Sequence, residues 1–186
     1  DAGADVLNKV LAKTLALLTS STGEPLFTID VSFPLSNNNS SPATNLNAAV
    51  QYLDFSGRTW QRCDLIGARP CVGNAELGAE FLRRIDKWIY RRYLSRADMT
   101  GMRSQKRRLY RGDHTANVVL DMQSTPGATA DIVAVIQFVQ LLNGTAFANI
   151  RMAGTINAIE ALHHNELLTA EEQNALRDSY LTLKHI

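Results

Sequence analysis

The chain has 186 residues, 45% of them apolar and 20% charged, with a formal net charge of +1. That length supports one sizeable core or two small ones, and the near-neutral total excludes a partner selected by bulk charge. No apolar run approaches the ~20 residues that cross a bilayer, so no membrane partner is expected. Asp1–Asp5 is acidic and the next apolar stretch is broken by Lys9 and Lys13, unlike a secretory leader. Cys63 and Cys71 lie eight positions apart. An extended segment between them exceeds disulfide reach, and the spacing fits no zinc pattern. Reduced thiols in a cytoplasmic protein are expected.

Val6, Leu7, Val10, Leu11, Leu15 and Leu18 recur at helical spacing and predict a helix over residues 5–19. Ser20 to Pro25 reads as a turn. Phe27, Ile29, Val31 and Phe33 then alternate with Leu26, Thr28, Asp30 and Ser32, the pattern of a half-buried strand over 26–33 ended by Pro34. The polar run SNNNSSPATN over 36–45 is a loop, and Thr44 or Asn45 suits the cap of a helix reaching about Phe55. A short helix around Arg58–Arg62 leads into a second predicted strand, Asp64–Val72, closed by Gly73-Asn74. Beyond it helices are predicted over 75–96, from about 98 to 111, over 128–142 and over 155–164, with 112–126 irregular and a stop at Asn143-Gly144. Thr169 and Glu172 form a capping box for a last helix carrying Leu176, Tyr180 and Leu183. The expected fold class is α+β, mostly α: an α/β piece with a partial sheet over 1–74, then a helical bundle over 75–186.

Several residues invite a chemical role beside a structural one. Asp30 is a carboxylate in mid-strand with two hydroxyls on its own face, either solvated or holding something. Asp131 opens a helix, where a carboxylate favours the dipole. Arg69 precedes Pro70 and is free to pair with Asp30 or Asp131 or to lie at the surface. Trp60 reads as a packing residue. Eleven of the nineteen cations fall between Arg83 and Arg111, opposed within that stretch by Asp86 and Asp98. This is either the solvated outer face of two helices or a docking face for phosphates, nucleic acid or an acidic protein. His163 and His164 sit near a helix end without metal-ligand spacing, and the sequence has no Gly-rich phosphate loop or nucleophile elbow.

Three stretches together carry a resemblance. TIDVSFP (28–34) stands where one family has Arg-Ile-Asp-Leu-Arg-Leu-Arg-Pro. TWQRCDLIGARPCVGN (59–74) resembles Thr-Trp-Glu-Arg/His-Gln-Ala-Leu-Ile-Arg-Ala-Arg-Pro-Val-x-Gly-Asp. PGATADIVAVIQFVQLL (126–142) resembles Gly-Gly-Ile-x-Asp-Ile-Glu-Phe-x-Val-Gln-x-Leu, and the tail over 157–186 fits the same family's last helices. The family is that of the bacterial glutamine-synthetase adenylyltransferases. The resemblance implies a nucleotidyltransferase-type sheet followed by a helical bundle. It also implies transfer of AMP from ATP to a protein tyrosine, and a protein partner such as glutamine synthetase or a signalling protein. Such enzymes hold two Mg²⁺ ions on three carboxylates. By position, the resemblance makes Asp30 the third of these, catalytic and metal-binding, and makes Arg62, Arg69 and Asp131 candidates for binding the cofactor.

The departures are equally specific. These 186 residues contain no Gly-Ser pair and no Asp-x-Asp, the source of the other two carboxylates. Thr28, Ser32 and Pro34 stand where the family has arginines, Gln61 and Val133 where it has glutamates, and Gly67 where it has an arginine. Charge is removed while apolar pattern is kept. The resemblance therefore implies a degenerate or incomplete nucleotidyltransferase, with Mg²⁺ and ATP as cofactors only if it is active. A non-catalytic regulatory or protein-interaction module and a helical nucleic-acid-binding protein working through 83–111 are the alternatives.

Overall fold

A computed structural model describes residues 2–19, 35, 43–91, 93, 95–101 and 125–185. The chain divides into two compact units, Asp1–Gly57 and Arg58–Ile186.

In the first unit, the apolar period of the N-terminal segment gives α1, Ala2–Thr19. A second helix, α2, spans Leu46–Ser56. Asn45 caps it, its Oδ1 accepting the Ala48 amide at 2.8 Å, one of the orphan donors of a helix start. The Ala43 amide donates to Asn8 Oδ1 at 3.3 Å, tying the approach to α2 onto α1. The predicted strand 26–33, with Asp30, lies outside the described residues.

The second unit contains α3 (Thr59–Ile66), α4 (Ala75–Ile89), a helical segment at 96–101, α5 (Thr129–Asn143), a 3₁₀ turn at Ala148–Ile150, α6 (Thr155–His164) and α7 (Ala170–His185). Helices α5, α6 and α7 pack on one another, and α3 packs on both α4 and α5. The core of the three-helix group is Ile132, Ile136, Ile150, Ala158, Ile159, Leu162 and Leu168, flanked by Leu176, Tyr180 and Leu183 of α7. Each large side chain buried here stabilises the fold by about 1.5–3 kcal/mol relative to exposure. The capping box of α7 forms as the sequence indicates. Glu172 Oε2 accepts the Thr169 amide at 2.8 Å, and Thr169 Oγ1 accepts the Glu172 amide at 3.2 Å.

The α+β expectation is overturned: the described residues contain helices and no strand, so the partial nucleotidyltransferase sheet is not seen among them, while the helical bundle is compatible. The second predicted strand is the clearest case, because Asp64, Leu65 and Ile66 are the last turn of α3. Gln61 Oε1 accepts the Arg58 amide at 2.7 Å and starts the helix. Thr59, Arg62 and Cys63 are buried at helical spacing, and Gln61 is buried beside them. Beyond Gly67 the backbone is irregular. Pro70 there packs so closely on Gly78 that a β-carbon at 78 would lie 2.6 Å from Pro70 Cγ.

The long helix expected over 75–96 ends at Ile89. The Tyr90 carbonyl accepts the Thr145 hydroxyl at 3.2 Å instead of continuing the helix. A new helical turn then starts at Ser95, whose Oγ accepts the Asp98 amide at 3.1 Å while Asp98 Oδ2 accepts the Ser95 amide at 2.9 Å.

Gly144 follows α5 where the Tyr90 ring lies against it. A β-carbon at 144 would stand 2.6 Å from Tyr90 Cε1 and 2.7 Å from the Gln140 carbonyl oxygen. Gly144→Ala is therefore expected to destabilise the chain by about 1–3 kcal/mol, the cost of overpacking a filled site. A lower urea midpoint with unchanged slope is the expected reading; an unchanged midpoint contradicts this account of the turn.

Candidate functional site

The residues singled out from sequence meet different fates. Asp30 lies outside the described residues. Arg69 is exposed in the irregular segment after α3, its carbonyl accepting the Cys71 thiol at 3.6 Å. Asp131 sits in the first turn of α5, where its Oδ2 accepts the Gly127 amide at 2.9 Å. Gly127 holds φ +87°, a conformation that glycine adopts without strain. Asp131 thus closes the turn that starts α5 and favours its dipole.

Arg62 is the residue around which a site assembles. It projects from α3 and is only 2% exposed. Its Nη1 lies 3.1 Å from Asp98 Oδ1, and its guanidinium carbon stands 5.2 Å from the ring centroid of Trp88 on α4, within cation–π range. Asp98 is held from several sides. Its Oδ1 accepts the Thr59 hydroxyl at 2.9 Å, and its Oδ2 accepts the Ser95 amide at 2.9 Å and the Ser95 hydroxyl at 2.8 Å. Burial pushes the Asp98 carboxyl up, but the Ser95 and Thr59 donors and the Arg62 cation outweigh it and hold it below the usual carboxylate range. Burial lowers the Arg62 pKa, and nearby Arg91 lowers it further against the pull of Asp98. Burial also pushes the neighbouring Cys63 thiol up to about 12, leaving it a poor nucleophile.

Second and third matched stretches meet beside this cluster: Gln137 Nε2 on α5 donates to the Cys63 carbonyl on α3 at 3.2 Å. Farther along α5, the buried Gln140 donates to the Ile150 and Met152 carbonyls at 2.7 and 3.0 Å. Arg151 bonds the Gly144 carbonyl at 2.7 Å and Asp86 at 2.9 Å, and covers the Tyr90 ring. Sequence reasoning missed Thr59, Trp88, Ser95, Asp98 and Gln140. A signal existed for two of them, since Ser-x-x-Asp at 95–98 is a capping-box pattern.

Magnesium is the ion that the sequence resemblance implies. Asp98 accepts donors from Ser95 in its own turn and from Thr59 on α3, and Asp131 accepts the Gly127 amide, so these two carboxylates are already engaged by protein donors and do not make a Mg²⁺ ligand set. Among the described residues, no group of three or more His, Cys, Asp or Glu side chains is placed to hold a metal ion. In the basic stretch, Arg83 and Arg84 both pair with Glu80, at 2.7 and 2.6 Å, which neutralises part of that face. No described helix is long and apolar enough to cross a membrane.

Removing Asp98 leaves Arg62 buried without its counter-charge. Asp98→Ala is expected to cost about 3–5 kcal/mol, as for other broken buried pairs. Because the folded carboxyl titrates below its unfolded value of about 3.9, this contribution is full above that value and lost as pH falls through the lowered one. Chemical denaturation should therefore show the gap between parent and Asp98→Ala closing in acid. A gap that is constant from pH 7 to pH 2 contradicts the assignment.

A family model described as GlnD PII-uridylyltransferase matches residues 97–186, just under half of the chain. Curated relatives named bifunctional glutamine synthetase adenylyltransferase/adenylyl-removing enzyme match more of it. The protein from Bartonella henselae is 24% identical over 186 residues, covering 98% of this chain. That from Agrobacterium fabrum is 29% identical over 147 residues, and that from Mesorhizobium japonicum 27% over 147, each covering 77% of this chain. The chain spans 19%, 15% and 15% of the length of these three relatives. The resemblance carried by the three sequence stretches is thus borne out: over most of its length this chain is similar to the bacterial glutamine synthetase adenylyltransferases.

Proposed function

We propose that this chain is part of a nucleotidyltransferase-type regulator acting on glutamine synthetase, and that its 186 residues supply helical scaffold rather than a complete nucleotide and metal site. The observation that carries the reading is the similarity to relatives of that name along 77–98% of the chain. The reaction in view is transfer of AMP from ATP to a protein tyrosine, with Mg²⁺ as the metal. The absence of Gly-Ser and Asp-x-Asp from these residues favours a degenerate or incomplete catalyst. Asp30 keeps its proposed place as a metal-binding carboxylate, and Arg69 as an exposed cation available to a phosphate.

A second reading, a non-catalytic interaction module, is favoured by one observation. Two motif residues expected to meet the nucleotide are engaged within the fold, Arg62 with Asp98 and Asp131 with Gly127.

Incubating the purified chain with glutamine synthetase, Mg²⁺ and ATP labelled in its α-phosphate tests both. The expected result is association of the two proteins, measured by calorimetry, without labelled AMP on glutamine synthetase. Label transfer would show the site to be complete, and absence of association would remove the partner assignment. Mg²⁺-dependent ATP binding by the chain alone would count against the interaction-module reading.

A further inference from the structure

We draw no further inference here: the strongest candidate, the exposed apolar stripe of α1 formed by Val6, Leu7, Val10, Leu17 and Leu18, is an unpartnered helix face, and nothing in the structure shows what covers it.

Discussion

A guanidinium enclosed by protein must keep a counter-charge, and the organisation of the second unit follows from the one between Arg62 and Asp98. Arg62 stands on α3 and Asp98 in the helical segment that starts at Ser95. Bringing them within 3.1 Å requires the chain to leave α4 at Ile89 and return toward α3. The Ser95 cap and the Thr59 hydroxyl then hold the carboxylate in place. Trp88, one residue before α4 ends, supplies the flat surface on which the cation rests. A pair of this kind is weak evidence for net stability. This register of α3 against the 95–101 segment gives the buried cation its carboxylate partner.

Much of the helical organisation was legible in the sequence because caps and apolar period are local. Asn45, the Thr169–Glu172 box and the Asn143-Gly144 stop each act through atoms within a few residues. The segment 64–72 was misread because its β-favouring residues are followed by a Gly-Asn turn, the local signature of a strand. Tertiary burial overrode that signal: Thr59, Arg62 and Cys63 bury together only in a helix, and Pro70 needs the bare backbone of Gly78. Asp98 was read as one of two acids in a basic stretch, because nothing local reveals a partner thirty-six positions away in sequence.

Several of the residues that carry the family resemblance have structural duties here. Pro70 settles on Gly78, the Gly127–Asp131 turn begins α5, and Gln137 ties α5 to α3. Shared motifs therefore report a shared helical scaffold as directly as they report shared chemistry. At Gln61, where the family has a glutamate, the start of α3 needs only a side-chain oxygen to accept the Arg58 amide, not a charge.

The most direct test of the central pair is a double-mutant cycle with Arg62→Met, Asp98→Asn and the combination, read by urea denaturation at pH 7. The account predicts that the double variant is more stable than the sum of the single losses implies, by a coupling of about 1–3 kcal/mol. Strictly additive losses would contradict it, showing that Arg62 and Asp98 are buried side by side without depending on each other.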